Sequence, residues 1–591
     1  MTANPSSTAA PGAGAGSDLV APDCRGLDFF ELDGSLRSVL PLYLDGAVWE
    51  HIQPHLRRLG GLAGGRLGEL AEACDRHPPV LHPRDRFGRD EEWIEFHPAY
   101  REMERIGFGE FGIHAMSHRG GILGWPRPYP RLAKYAFQYL FVQAEFGLMC
   151  PLSVTDTCAH LIARYGDSAL RERFLPGLLS QEPDSLKGAQ FMTEKAGGSD
   201  VGGNALRAVP DGGAWRLTGD KWFCSCADAD VCLLLARPEG APAGTRGLGL
   251  FAMPKRLEDG RRNAYRIVRL KDKLGTRSMA SGEIVFEGAL AYAVGDVGRG
   301  LKQMLDQVNL SRLSHGVRAA GMMRRCWNES LRAARGRVAF DRQVAQYPLM
   351  RRQLMKLLVP TEQALSLVCF AGEAMQAGDE GDAAAAQVVR IVTPLLKFRA
   401  CRDNVQVATG AMEARGGNGF IEDWDNARLV RDAQTGLLWE GTSNINGLDV
   451  IQRAVGKQRA HEALLASLKA RLAEAAALPP GFRARLGDAL ERAVGFAEGV
   501  ARRGDEPLAR QASSGLYHAA SAVLMAWEAE RLGTRGGDAR RLLLARMVLE
   551  HRLSPQDPLA PADRSWEEAA TDLLLGEAPV PLARAAEVAA G

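Results

Sequence analysis

Residues 192–203 read Met-Thr-Glu-Lys-Ala-Gly-Gly-Ser-Asp-Val-Gly-Gly. A short apolar approach leads into the stretch and glycines close it. Such a turn presents backbone N–H groups and short hydroxyls on a concave surface, which suits hydrogen bonding to the carbonyls of a flat heterocycle. Taken alone it is an ordinary glycine-rich turn. Its neighbours decide what it means.

From about 186 to 292 the chain is written in short apolar runs separated by glycine. Trp215-Arg216-Leu217-Thr218, then Gly219-Asp220, then Trp222-Phe223 reads as a hairpin. Val231 to Ala236, Leu248 to Met253, and Glu283 to Glu287 between Gly282 and Gly288 read as strands. Several short strands with no intervening helix predict a small β-barrel or sandwich. Both flanks are helical. Residues 25–185 carry helical periodicity, with Lys134 to Met149 predicted as one helix buried on most sides and stopped by Pro151. Residues 293–455 hold three long stretches, Leu301 to Ala334, Pro348 to Gln376 and Ala383 to Val407, the last with Pro394 as a kink. They predict a helical bundle. Residues 456–591 add a further helical domain broken at Pro479-Pro480-Gly481 and at Gly533 to Gly537. Residues 1–24 are Ala, Gly, Ser, Thr and Pro for the most part, a composition expected to be disordered. The fold class is therefore mainly α with a central β-domain.

With 591 residues and a net charge of +2, whole-molecule charge gives no argument for a polyanionic partner. Residues 456–591 hold 18 Lys plus Arg against 18 Asp plus Glu. Duplex coating needs excess positive charge, so only weak, salt-sensitive contact with duplex DNA is expected, carried by Arg540, Arg541 and Arg546. Ten cysteines are scattered without zinc spacing, Cys224, Cys226 and Cys232 included. They read as free thiols in a reducing compartment, and with no secretory start a cytoplasmic location is expected. No run of about 20 apolar residues is seen, so no membrane partner is expected.

Three more stretches carry chemistry. In Lys221-Trp222-Phe223-Cys224-Ser225 an aromatic ring on a strand edge can stack on a planar cofactor, although core packing explains it as well. In Ala411 to Phe420, Gly416, Gly417 and Gly419 allow backbone to approach a phosphate or sugar. In Leu438-Trp439-Glu440-Gly441-Thr442-Ser443-Asn444-Ile445 a carboxylate sits beside a large aromatic, ahead of a helix capped by Thr442 or Ser443. An apolar pocket raises a carboxyl pKa, as a base working near neutrality requires.

In this order, within a helix–strand–helix layout, the four stretches resemble the acyl-CoA dehydrogenase superfamily over about residues 100 to 455. The resemblance implies an N-terminal helical domain, a middle β-barrel and a C-terminal four-helix bundle, with FAD held between subunits of a homotetramer. It implies that Met192, Thr193, Ser199, Phe223 and Ser225 cradle the isoalloxazine. Arg337 and Phe340 are implied at the pyrophosphate and adenine. Glu413, Gly416 and Gly417 are implied at a neighbour's FAD, and Thr442 and Asn444 after the base also contact FAD. Glu440 is implied as catalytic base, with Ser199, Arg312, Trp439 and Gly441 at the substrate. The implied reaction is FAD-dependent oxidation of an acyl-CoA or related thioester, with loss of the α-proton and β-hydride. The electron acceptor is left open between an electron-transfer flavoprotein, oxygen and none.

Further stretches are similar to the AidB-like, alkylation-induced branch: Phe96-His97-Pro98-Ala99, Arg269 to Gly275, Gly321 to Arg325, Pro348 to Arg351 and Leu448-Asp449-Val450. That branch carries an extra C-terminal helical domain. It implies an alternative role, binding DNA or clearing alkylating agents. Three positions depart from the common pattern: Lys195-Ala196-Gly197 after Thr-Glu, Asn309 three residues before Arg312, and Glu413 where relatives have Gln.

Overall fold

The computed structural model describes residues 20–559 and 565–590. Most of the tail expected over 1–24 lies outside the described residues.

The N-terminal part is helical with one exception. Gly46–Gly64 opens on Asp45, whose carboxylate accepts from the Ala47 and Val48 N–H groups, and Arg66–Arg76 follows. Then Val80–Arg84 and Asp90–Glu95 pair as an antiparallel hairpin in a region read as helical. The period-two signal there is short and its inward polar residue is Glu92, which apolar periodicity cannot register. The Glu92 carboxylate accepts from the Ile267 N–H at 2.6 Å and pairs with Arg262 at 2.5 Å, so this hairpin is pinned to the β-domain.

The single helix expected over 134–149 is two. Arg131–Phe141 ends, and Met149–Tyr165 begins after a turn in which Glu145 accepts from the Leu148 N–H at 2.9 Å. Pro151 is not a stop. It sits in the first turn of the second helix, where its missing N–H is not needed.

Seven strands form the β-domain. Five of them close a ring: Val231–Pro238 pairs Gly249–Pro254, which pairs Ser281–Ala293, then Ala214–Ser225, then Arg207–Asp211, and back to Val231–Pro238. The closing seam is short, with Arg207 opposite Arg237 and Ala208 opposite Pro238. Gly188–Phe191 joins parallel to Val231–Pro238, and Tyr265–Leu270 joins Ser281–Ala293. The hairpin turn expected at Gly219-Asp220 lies elsewhere. Gly212 and Gly213, with φ of +56° and +91°, make the two-residue turn, and Ala214–Ser225 runs straight through Gly219. The ladder to Ser281–Ala293 outweighs the local turn signal, and Gly288 at φ +87° takes up a register shift opposite Leu217/Thr218.

Behind the barrel stand Gly300–Gly336, Pro348–Asp379 and Ala383–Arg415, with the shorter Asp425–Thr435. The third runs past Val407 and straight over Pro394. Gly321 lets the first of these cross Arg131–Phe141 closely, since a Cβ there would fall 2.4 Å from the Tyr139 carbonyl oxygen. Pro348–Asp379 is long and apolar enough to cross a bilayer by composition, but 94% of its apolar window is buried inside the fold.

The remaining helices, Ala460–Glu474, Pro480–Arg503, Ala509–Gly533, Arg541–Val548, Ser565–Leu575 and Leu582–Ala590, pack on this bundle. A buried polar knot fastens them. Arg541 donates to Glu528 at 2.6 Å, to Ser366 at 2.6 Å and to Glu362. Glu362 also pairs with Arg324 and accepts from Ser35 at 2.8 Å, while Glu528 accepts from Tyr43 at 2.8 Å. The arginines expected to meet DNA are thus structural. Arg541 and Arg546 are buried, Arg546 lying over the Trp566 ring and donating to the Val588 carbonyl. Arg540 pairs with Asp538 at 2.5 Å and donates to the Ala578 carbonyl at 2.9 Å. The partners that Arg541 finds on Glu362 and Glu528, and the carbonyls of Ala578 and Val588 that Arg540 and Arg546 reach, lie on other segments and are invisible to local spacing. All ten cysteines are buried and unpaired.

Candidate active site

Glu440 lies in a turn between Asp425–Thr435 and Ser443–Leu448. Its backbone adopts φ +56°, a conformation that costs a non-glycine residue of order 1–3 kcal/mol, and Gly441 follows at +93°. Two side chains hold the turn. Lys397, buried on Ala383–Arg415, donates to the Gly436 carbonyl at 2.6 Å and to Gly441 at 3.3 Å. Asn446 donates to the Gly441 and Thr442 carbonyls at 2.8 and 3.0 Å. Thr442 occupies the cap position as expected but makes no side-chain capping bond.

The Glu440 carboxylate accepts from the Ser311 hydroxyl at 2.9 Å, and its carbonyl accepts from Arg312 Nε at 3.1 Å. Arg312 is itself clamped by Asp449 at 2.8 Å, which also holds Arg390 at 2.7 Å. Burial raises the Glu440 carboxyl above the ordinary glutamate range, against the Ser311 hydrogen bond and the charges of Arg312, Lys397 and Arg318. Among the described residues the Glu440 backbone N–H donates to no acceptor. Trp439 meets His315 edge-on at 5.6 Å, and Phe146 lies 6.4 Å from the same imidazole. Burial keeps His315 neutral.

The barrel supplies the opposite wall. The 192–200 turn is set by a pair that sequence reading overlooked. Glu194 accepts from Lys221 at 2.7 Å and from the Ala205 and Leu206 N–H groups at 2.6 and 3.2 Å. Lys221 also donates to the Met192 carbonyl at 3.2 Å, and the Trp222 N–H donates to the Thr193 carbonyl at 2.9 Å. Met192, Thr193, Ser199, Phe223 and Ser225 are thereby carried on one edge of the barrel, with the Phe223 ring 57% exposed. Ser225 pairs across the sheet with Ser281, whose hydroxyl accepts from Lys273 at 3.2 Å. Burial depresses Lys273 to about 8. Cys150, buried on Met149–Tyr165, lies close enough to Arg318, Lys273 and Glu440 for the charge of each to act on its thiol. Asp432, pushed up to about 7 by burial, accepts from the Thr276 N–H at 2.6 Å and serves the loop beside it.

Arg337, Phe340, Glu413, Gly416 and Gly417 are not part of this site. They gather at the far end of Gly300–Gly336, where a Cβ on Gly416 would come 3.1 Å from Arg337 Nη1 and Gln353 donates to Glu413 at 3.4 Å. Arg337 is 25 residues beyond Arg312, roughly 37 Å at helical rise. Phe340 tips a two-residue hairpin at φ +50° with its ring 91% exposed, and Phe420 is 77% exposed.

Three family profiles match the chain: the adaptive response protein AidB N-terminal domain over residues 20–185, the acyl-CoA dehydrogenase middle domain over 189–289, and the acyl-CoA dehydrogenase C-terminal domain over 298–456. The putative acyl-CoA dehydrogenase AidB of Escherichia coli is 33% identical over 430 residues, 70% of this chain and 76% of that protein. The chain belongs to the acyl-CoA dehydrogenase family. Acyl-CoA dehydrogenase family member 11 of Caenorhabditis elegans is 32% identical over 440 residues, 72% of this chain and 70% of that one. The crystal structure of Caenorhabditis elegans ACDH-11 in complex with C11-CoA superposes with a TM-score of 0.82 at 25% identity, covering 97% of this chain and 98% of the other. As an acyl-CoA dehydrogenase family member the protein is an oxidoreductase acting on CH–CH bonds, in a family of flavoproteins.

Cofactor fit is testable on the residues themselves. Next to Asn444 and Ser443 stand Arg402, 3.4 Å from the Ser443 hydroxyl, and Arg510, 3.5 Å from Asn444 Oδ1. Neither has a salt bridge among the described residues, and burial together with the charges of Arg510 and Arg399 lowers the Arg402 pKa. Two guanidinium groups without a salt bridge, beside a half-buried hydroxyl and an exposed amide, suit a pyrophosphate. Sequence reading missed both, because Arg510 comes from Ala509–Gly533, 66 residues from Asn444.

Proposed function

We propose that the protein is an FAD-dependent acyl-CoA dehydrogenase in which Glu440 removes the α-proton of the thioester. The observation that carries this reading is the Glu440 carboxylate: raised by burial, oriented by Ser311, and walled by Trp439, His315 and Phe146. FAD, when bound, supplies the acceptor for the β-hydride. The chain does the rest. Glu440 receives the proton, Ser311 fixes which carboxylate oxygen faces away from it, and the unpaired Glu440 N–H is available to the thioester carbonyl, where charge develops as the proton leaves. Met192, Thr193, Ser199, Phe223 and Ser225 would hold the flavin ring, and Thr442, Asn444, Arg402 and Arg510 the pyrophosphate. Ser199, Arg312, Trp439 and Gly441 would frame the substrate.

The second cluster completes the site from another copy. About 37 Å along one helix is farther than one dinucleotide reaches from Glu440, and Arg337, Phe340, Glu413, Gly416 and Gly417 would serve the cofactor of a neighbouring subunit in a homotetramer. The exposed Phe340 and Phe420 rings favour such an interface. The ACDH-11 complex with C11-CoA supports an acyl-CoA as substrate class.

The test is anaerobic mixing of the purified yellow protein with a panel of acyl-CoA thioesters. Loss of the flavin absorbance band on thioester addition is expected; a flavin that stays oxidised with every thioester refutes the reading. A separate outcome concerns cofactor grip. Arg402→Ala and Arg510→Ala each remove one charged contact, worth about 1.5–3 kcal/mol, or roughly ten- to hundredfold in affinity. Flavin fluorescence titration of the apoprotein should show that weakening, and unchanged affinity would move the pyrophosphate elsewhere.

A further inference from the structure

Buried arginines in this protein hold carboxylates. Arg324 pairs with Asp33 and Glu362, Arg325 with Glu329 and Asp425, Arg415 with Glu329, and Arg541 with Glu362 and Glu528. Arg318 breaks the rule. It is 1% exposed, yet no salt bridge to it is present among the described residues. Its Nε donates to the Ser314 hydroxyl at 3.3 Å, and its Nη1 has no hydrogen-bond partner. A guanidinium left so in a protein interior costs several kcal/mol.

Its position says what would relieve it. Arg318 follows Ser311 by seven residues on Gly300–Gly336, two turns along the same helix face and about 10 Å deeper. Ser311 holds the Glu440 carboxylate, so Arg318 stands two turns beyond the residue that orients the base. Its guanidinium sits 5.6 Å from the Phe146 ring. A polar relay backs it: Ser314 donates to Gln138 Oε1 at 3.0 Å and lies 3.1 Å from the Ser153 hydroxyl. An apolar tail would leave the Arg318 Nη1 unanswered, whereas a carboxylate offers the planar, two-point acceptor that a guanidinium matches.

We propose that the thioester substrate carries a carboxylate at the far end of its acyl chain, bound by Arg318. This specificity rests on the dehydrogenase reading above. The carboxylate is an anchor only: no bond to it forms or breaks, and the α-proton and β-hydride leave as before. Arg318 is thus a specificity-determining residue whose ligand class is the CoA thioester of a dicarboxylic acid.

The experiment compares, on the holoenzyme, succinyl-, glutaryl-, adipyl-, pimelyl- and suberyl-CoA with the methyl-ended thioesters from butyryl- to octanoyl-CoA. Calorimetric affinity and anaerobic flavin bleaching are read side by side, for the natural protein, Arg318→Met and Arg318→Lys. The proposal expects at least one dicarboxylyl thioester to bind tenfold or more tighter than its methyl-ended counterpart. Arg318→Met should reverse that order and Arg318→Lys should keep part of it. Should Arg318→Met fail to fold, the natural protein's ratio and the Lys variant decide. Equal or tighter binding of the methyl-ended series by the natural protein overturns the proposal. So does an Arg318→Met variant that weakens both series alike while shifting the pH profile, because Arg318 would then be tuning Glu440. A carboxylate preference in calorimetry with no bleaching by any thioester would keep the anchor and remove the dehydrogenase chemistry.

Discussion

Glu440→Gln is expected to retain FAD and to slow thioester-driven flavin bleaching by at least about a hundredfold, the lower end of what a positioned base contributes. The side chain keeps its size and can still bond Ser311, so the turn held by Lys397 and Asn446 should persist. What is lost is the lone pair that takes the α-proton. Single-turnover stopped-flow spectroscopy reads the step directly and avoids confusion with product release. In the natural protein the rate should climb as pH rises through the Glu440 pKa, which burial places above the ordinary glutamate value, because only the ionised carboxylate is a base. Bleaching by the Gln variant within tenfold of the natural rate would mean that another group removes the proton.

The second large effect is on stability. Arg541→Met should cost about 3–5 kcal/mol, the range for removing one partner from a buried charge network. Glu528 would lose its arginine, and Glu362 would keep only Arg324. The expected reading is a lower urea midpoint. Adding Glu528→Gln should recover part of the loss, since it removes the stranded charge. Acid titration gives an independent sign. Burial alone would raise the Glu362 carboxyl, but Arg324 and Arg541 hold it at about 2. A carboxyl depressed in the folded state contributes stability that is complete above its unfolded pKa of about 4.3. That stability is lost as pH falls toward the folded value. Stability should therefore fall from about pH 4.5 towards 2, and less steeply in Arg541→Met. An unchanged urea midpoint in that variant would show that the knot adds nothing net.

How much of this was legible in the sequence divides along the range of the interaction. The long helices, the short strands and the Trp439–Glu440–Gly441 turn announce themselves through periodicity and adjacent residues. Gly219 misled because a glycine-aspartate pair looks the same in a turn and inside a ladder; only the strand opposite distinguishes them. Arg540, Arg541 and Arg546 misled for a related reason. Arginines one to six apart look like a solvent face until Glu362 and Glu528 are brought to Arg541, and the Val588 carbonyl to Arg546, from other segments. The Glu194–Lys221 pair spans 27 residues, and Arg510 meets Asn444 across 66. No local pattern encodes such partners. Arg318 went unremarked because burial, which makes its charge unusual, is a property of the fold.

The ten sealed sulfhydryls have a practical consequence. Burial drives thiols such as Cys158 and Cys224 up beyond the usual range and closes them to reagents. Colour development with a disulfide dye in solution then counts opened molecules rather than surface groups. Because the cysteines run from Cys24 to Cys401 and spare the later helices, the order in which they react would show whether the barrel or the bundle gives way first. A single cysteine placed on the outer helices would carry a fluorophore with no competing site.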